Sequence, residues 1–136
     1  MSIVLDTGVV YAYYDRRDSW HRKSVDLMKR EPGQFVLPSP VIPEVDHLLG
    51  VRLGSAARRT FYLGLINSSY FISDVPPEGY QRILDLNDHF NELELGFVDA
   101  SVVTIAEALG LRRIATTDRR HFEPLRKPFR LELLPE

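Results

Sequence analysis

Short apolar runs alternate with longer segments in which apolar residues repeat at helical spacing. The short runs are rich in aliphatic and aromatic residues, which predicts buried strands. Elements that alternate in this way favour an α/β domain, with a mostly parallel sheet covered by helices on both faces. The predicted strands are 3–5, 34–37, 70–73, 113–116 and 129–134.

The segments between the strands predict helices of ordinary length. Ser19 and Ser39 precede two of them and are predicted to be their N-caps, and Gly110 is predicted to end the last long helix in a left-handed conformation. Pro43 lacks a backbone donor, so the third helix can start late or bend. The predicted helices are 9–14, 20–30, 41 onward, 55–67, 76–90 and 99–109, followed by a turn or short helix that reaches 122.

Composition restricts the kinds of site that the chain can build. The chain has 136 residues, of which 44% are hydrophobic, and this predicts one domain over residues 1–136. Cysteine is absent, so a metal would be held by oxygen or imidazole. No signal peptide or membrane span is evident, and a cytoplasmic protein is expected. A net charge of −2 argues against nonspecific coating of nucleic acid but leaves RNA open as a substrate.

Four acidic residues follow strands or begin helices. Asp6 and Asp118 come directly after predicted strands, whose carboxyl ends form the usual binding edge of an α/β sheet. Glu44 lies early in a helix, and Asp99 is predicted to begin one. If the four converge, their oxygens suit Mg²⁺ or Mn²⁺, and hydrolysis of a phosphodiester is the natural reaction.

Each acid also has an ordinary structural explanation. Asp6 can form an Asx turn, and Glu44 can be a solvated helix residue. Asp99 can oppose the helix dipole, and Asp118 can form surface ion pairs. Spacing alone therefore does not decide between a site and four unrelated surface acids.

Four ordered segments together extend over nearly the whole chain: Ile3–Thr7, Pro38–Asp46, Leu95–Ser101 and Thr116–Phe122. They resemble the motifs of PIN-domain VapC toxins. The resemblance implies a three-layer α/β/α sandwich with a Mg²⁺- or Mn²⁺-dependent endoribonuclease activity. It also implies a structured target such as tRNA or ribosomal RNA, cut to leave a 5′-phosphate and a 3′-hydroxyl.

The same resemblance implies the roles of individual residues. Thr116 matches a hydroxyl residue that helps to order a water, and Thr7 adjoins the first acid. Gly8 stands where the family usually has a small polar residue, so one hydrogen bond is expected to be missing. The implied catalytic residues and metal ligands are Asp6, Glu44, Asp99 and Asp118.

Arginine pairs are the candidates for RNA contact. Arg119 and Arg120 directly follow Asp118, and a guanidinium can fork onto phosphate oxygens. His121, beside a phenylalanine, is predicted to be a packing or hydrogen-bonding residue rather than a catalyst. A second candidate pair is Arg16 and Arg17.

A VapB-like antitoxin and a homodimer are the protein partners that the resemblance implies. The antitoxin tail would lie in an apolar groove and present a basic side chain to the acids. The helices within 41–66 offer apolar surface for that groove or for a dimer. Two alternatives stay open: a housekeeping RNA-processing PIN nuclease, and a PIN-like module that binds RNA or protein without cleavage. A metal-dependent cleavage assay and growth arrest on expression would separate them.

Overall fold

A five-stranded parallel sheet forms the centre of the computed structural model, which describes residues 2–67 and 69–136. Its strand order is β3-β2-β1-β4-β5, and every pairing between neighbours is parallel. The predicted strands agree with it to within a residue or two, except that the last begins later. The strands are β1 Ile3–Leu5, β2 Phe35–Pro38, β3 Phe71–Ser73, β4 Arg113–Ala115 and β5 Glu132–Leu134.

Helices connect all the strands. The first two connections carry helices that contact one another, and the third carries a pair packed together, one member of which also contacts β1 and β2. This arrangement is the α/β/α sandwich that the sequence predicts. The helices are α1 Thr7–Tyr14, α2 His21–Arg30, α3 Val41–Arg52, α4 Ser55–Ile66, α5 Gly79–His89, α6 Gly96–Ala108 and α7 Arg119–Arg126, with a 3₁₀ turn at Asn91–Leu93.

The strand order places a topological switch between β1 and β4. Connections from β1 run towards β2 and β3, whereas the connection from β4 runs the other way, to β5. The carboxyl ends of the two strands therefore border the crevice in which α/β sheets bind ligands. β1 is buried along its whole length, so its position is fixed by core packing on both faces of the sheet.

The beginnings of α2, α3 and α6 differ from the prediction in their cap or their first residue, and α1 and α5 begin two or three residues from the predicted positions 9 and 76. α2 begins at His21, and the turn before it is closed by Asp18, which accepts from the Trp20 backbone N–H at 2.8 Å. Ser19 is therefore not the cap. α3 begins at Val41 without a side-chain cap from Ser39, and its proline lies in the first turn, where no intrahelical donor is needed.

α6 is the third of these helices, and it begins at Gly96, three residues before Asp99. Its cap comes from α5: Asn87 Oδ1 accepts from the Gly96 N–H at 2.9 Å, and Asn87 Nδ2 donates to the Gly96 carbonyl at 3.3 Å. Asp99 therefore lies in the first turn rather than at the start. Gly110 follows the helix with φ of 69°, as predicted. Among the described residues, no helix is long and apolar enough to cross a membrane.

Candidate active site at the carboxyl ends of β1 and β4

Asp6 lies at the end of β1 and caps α1. Its Oδ1 accepts from the Thr7 backbone N–H at 2.8 Å, and its Oδ2 accepts from the Thr116 hydroxyl at 2.8 Å. The residue is only 3% exposed. Strand, helix cap and hydroxyl together fix both carboxylate oxygens at the crevice.

Thr116 connects the ends of the two central strands. It follows β4 directly and is fully buried. Its hydroxyl donates to Asp6 and accepts from the Asp118 backbone N–H at 2.9 Å. The hydroxyl therefore links Asp6 directly to the Asp118 backbone, and the water-ordering role that the resemblance implies stays a prediction.

Asp99 and Asp118 meet around the ring of His121. Its Nδ1 lies 2.6 Å from Asp99 Oδ2 and 2.9 Å from Asp118 Oδ2. Asp118 also caps α7, where its Oδ1 accepts from the His121 backbone N–H at 3.1 Å. The start of α7 thus brings an imidazole between two carboxylates.

Glu44 joins the cluster through Thr7, whose hydroxyl donates to Glu44 Oε1 at 2.7 Å. Glu44 lies in the first turn of α3, on the more exposed side of the site. Its charge also acts on Asp99. All four predicted acids are therefore brought together, each linked to another through one intervening residue.

Burial and mutual repulsion perturb two of these carboxyls. Burial, followed by the charge of Asp99, raises the pKa of Asp6 from 3.8 to about 7, although the Thr116 and Thr7 hydrogen bonds oppose the rise. Burial and the charge of Asp118 raise the pKa of Asp99 from 3.8 to about 6. Ionising this cluster is costly without a counterion, which is the condition that a bound cation relieves.

The donor set fits a divalent cation. Carboxylate oxygens are the ligands that Mg²⁺ and Mn²⁺ prefer, and one imidazole nitrogen lies among them. Ligand atoms of Asp99, Asp118 and His121 all lie within 4.8 Å of one another. Asp6 lies outside this group of three, but the charges of Asp99 and Asp118 act on it, and the donors to its oxygens leave lone pairs for a cation.

A sequence profile described as the PIN domain matches residues 3–127. The chain belongs to the PIN domain family. Among curated proteins, this PIN domain is similar to Ribonuclease VapC26 of Mycobacterium tuberculosis (strain ATCC 25618 / H37Rv), with 24% identity over 124 residues, 91% of this chain and 92% of that protein.

Solved structures share the fold of this PIN domain. The crystal structure of Mycobacterium tuberculosis VapC20, described as a "Sarcin-Ricin loop cleaving toxin", superposes with a TM-score of 0.76 at 20% identity, covering 82% of this chain and 86% of that one. A toxin-antitoxin complex from Klebsiella pneumoniae gives a TM-score of 0.73 at 16% identity, covering 98% of this chain and 96% of that one.

Gly8 of this PIN domain has its own structural reason. A Cβ at position 8 would lie 2.0 Å from the Thr117 hydroxyl oxygen, so glycine leaves the room that this hydroxyl occupies. Glycine at this position therefore does not simply remove a polar group, because the hydroxyl of Thr117, which follows β4, occupies the space.

The predicted arginines lie in different environments. Arg119 is directed into the fold: its guanidinium donates to the Thr116 carbonyl at 3.2 Å and to the Pro135 carbonyl at 2.5 Å, and it stacks over Trp20. Arg120 is exposed. The pair Arg16 and Arg17 is exposed just beyond the far end of α1, a helix of eight residues and so about 12 Å long.

An apolar pocket of about 590 Å³ adjoins the acidic cluster and shares Glu44 with it. Phe97, two residues before Asp99, is half-exposed there and stacks on Tyr80, with ring centroids 6.4 Å apart. The other lining residues are Pro40, Pro43, His47, Leu48 and Val98.

The apolar residues of the helices within 41–66, for which core packing and a partner surface are equally good explanations from the sequence, divide between the two. Leu49 and Phe61 are fully buried and belong to the core, whereas Val51 and Ile66 are mostly exposed. Only the outward positions of α3 and α4 therefore remain available to a partner.

His121 is the site residue that sequence reasoning placed only as a packing or hydrogen-bonding group. Its hydrogen bonds are present, but they join two of the acids. The available signal was its spacing of three from Asp118 at a helix start, which puts both side chains on one face.

Proposed function

We propose that this PIN domain, acting as one domain over residues 1–136, is a Mg²⁺- or Mn²⁺-dependent endoribonuclease and the toxin of a toxin–antitoxin pair. The observation that carries the proposal is the meeting of Asp6, Asp99 and Asp118 at the switch point between β1 and β4. The similarity to Ribonuclease VapC26 supports RNA as the substrate class.

The four acids of the cluster would have different roles in holding the cation. Asp6, Asp99 and Asp118 would hold the cation, and Glu44 would complete the charge of the site from its outer side. When bound, the cation would lower the pKa of a water and stabilise charge on the scissile phosphate.

Thr116 and Arg119 would act behind the acids. The Thr116 hydroxyl holds the Asp6 side chain and the Asp118 backbone in fixed positions relative to each other. Arg119 donates to the carbonyls of Thr116 and Pro135, and it thereby holds the segment that carries Asp118 against the C-terminal segment. Arg120, which is exposed beside Asp118, is the better candidate of the two for contact with an RNA phosphate.

A VapB-like antitoxin is the proposed protein partner. The similarity in fold to the toxin-antitoxin complex from Klebsiella pneumoniae supports a partner of this kind. An apolar side chain of the antitoxin would occupy the pocket beside Glu44, and a basic side chain next to it would reach the carboxylates. We further propose a homodimer and, because cellular tRNA or ribosomal RNA is the proposed target, action in the cytoplasm.

Cleavage of defined RNA by the purified protein tests the activity. Bulk tRNA and a synthetic sarcin–ricin loop oligonucleotide would be incubated with Mg²⁺ or Mn²⁺, and the new ends would be mapped. We expect cuts with 5′-phosphate ends, lost in excess EDTA and in Asp99→Asn. Full activity in EDTA or in Asp99→Asn would refute the proposed metal-dependent chemistry. No cleavage by the folded wild type would favour a binding module.

Expression in cells tests the toxin role separately. We expect growth arrest from the wild type and none from Asp99→Asn. RNA cleavage in vitro without growth arrest would instead favour a housekeeping RNA-processing nuclease.

A further inference from the structure

Within the described part of the chain, one histidine, His121, groups with two acids at the spacing of metal ligands. The two acids are Asp99 and Asp118. His121 Nδ1 points between Asp99 Oδ2 and Asp118 Oδ2, at 2.6 and 2.9 Å. A ring nitrogen in this place has two possible uses. It can donate its hydrogen to the carboxylates, or it can share a cation with them.

The fold holds the imidazole in this position. Its backbone N–H donates to Asp118 Oδ1 at 3.1 Å in the first turn of α7. The next residue, Phe122, is fully buried in the core, so the start of the helix cannot rotate away from the site. The His121 side chain is 20% exposed and faces the two acids from a fixed backbone.

The spacing of the three atoms matches that of neighbouring ligands on one ion. Ligands about 2.1 Å from an octahedral cation stand roughly 3 Å apart at adjacent positions. The distances of 2.6 and 2.9 Å from His121 Nδ1 to the two oxygens are close to this value. A cation bound by all three atoms would take the place of the hydrogen bonds between Nδ1 and the two oxygens.

We infer that His121 is a direct ligand of the metal ion through Nδ1, and that it makes the site prefer Mn²⁺ to Mg²⁺. This inference rests on the proposed metal-dependent function. Mg²⁺ takes oxygen ligands almost exclusively, whereas first-row transition ions also accept imidazole. One nitrogen among three carboxylates therefore raises the affinity for Mn²⁺ more than that for Mg²⁺.

Pulsed electron paramagnetic resonance of bound Mn²⁺ tests the ligand directly and does not depend on activity. Electron spin-echo modulation would be recorded on the protein with ¹⁴N- and ¹⁵N-labelled histidine. Wild type is expected to show a directly coupled histidine nitrogen. His121→Asn should lose it, because the asparagine Nδ2 can replace the ring N–H as a hydrogen-bond donor but cannot bind the ion. His89→Asn, which changes an exposed histidine at the end of α5, is the matched control and should retain the coupling.

Metal affinities give the second measurement. We expect His121→Asn to weaken Mn²⁺ binding by at least about 10-fold and Mg²⁺ binding by less than about 3-fold. Mn²⁺ that binds the wild type but shows no nitrogen coupling, with affinity unchanged in His121→Asn, would overturn the inference and leave the proposed function standing. Failure of the wild type to bind Mn²⁺, or equal binding by Asp99→Asn, would instead overturn the proposed metal site itself.

Discussion

Replacing Asp6 by asparagine is expected to stabilise the metal-free protein at pH 8 while it abolishes RNA cleavage. Asp6 is buried, and its pKa rises from 3.8 to about 7 because burial and the charge of Asp99 disfavour its ionised form. At pH 8 the carboxylate is ionised and carries this cost in the folded state. The difference between the two pKa values corresponds to about 4 kcal/mol.

Part of that gain is offset by a lost hydrogen bond. An asparagine Oδ1 still accepts from the Thr7 N–H, but its amide nitrogen cannot accept from the Thr116 hydroxyl, as Asp6 Oδ2 does. The loss costs about 1–2 kcal/mol. The net gain for Asp6→Asn at pH 8 is therefore roughly 2–3 kcal/mol.

The pH dependence has a definite sign. A folded-state pKa above the unfolded value means that the folded protein binds more protons between pH 3.8 and about 7, so the stability of the wild type falls as pH rises through this window. The gain from Asp6→Asn should be near zero at pH 5 and largest above pH 7. With Mn²⁺ bound, the wild type should be more stable than Asp6→Asn, because only the wild type retains the full ligand set.

Urea unfolding in EDTA at pH 5 and pH 8, and in Mn²⁺ at pH 8, measures these differences. Asp88→Asn, which changes an exposed acid on α5, serves as the control and should shift stability by less than about 0.5 kcal/mol. An Asp6→Asn protein that is no more stable than the wild type at pH 8 in EDTA, or a difference independent of pH, would refute the proposed crowding of charge.

Three further substitutions test the contacts behind the acids. Gly8→Ala should lower the free energy of unfolding by about 1–3 kcal/mol, because its Cβ would meet the Thr117 hydroxyl at 2.0 Å. Adding Thr117→Ala should restore it, and a Gly8→Ala protein as stable as the wild type would disprove the clash. Thr116→Val should slow cleavage about 10- to 100-fold while Thr116→Ser retains activity; equal rates would show that the hydroxyl has no role. Arg119→Ala should cost about 1–3 kcal/mol through its lost bonds to the Thr116 and Pro135 carbonyls, and Arg119→Lys should recover less than half. Urea unfolding checks the first and last, and full recovery by lysine would contradict the forked geometry.

The positions of Asp6 and Asp118 could be predicted because they depend on local order. Each follows a short buried strand, and the carboxyl ends of parallel strands form one edge of a sheet. The same logic located the sheet, since apolar runs of this length between helices leave few other arrangements. These parts of the site therefore follow from pattern alone.

The start of α6 and the place of His121 depend on distant residues, and they could not be predicted in the same way. Asn87 of α5 caps Gly96, so the helix begins before Asp99 without any local capping residue. His121 meets Asp99 across 22 residues of chain. Contacts between separate elements leave no periodic signal in the sequence, and only the packed structure brings them together.

The location of bound Mn²⁺ in a crystal tests the central claim most directly, because the ion gives an anomalous signal that no carboxylate or water can imitate. We predict one strong anomalous peak bordered by Asp6, Asp99 and Asp118, and its loss in crystals of Asp99→Asn. A peak remote from these three carboxylates, or no peak at an occupancy-saturating concentration of Mn²⁺, would contradict it.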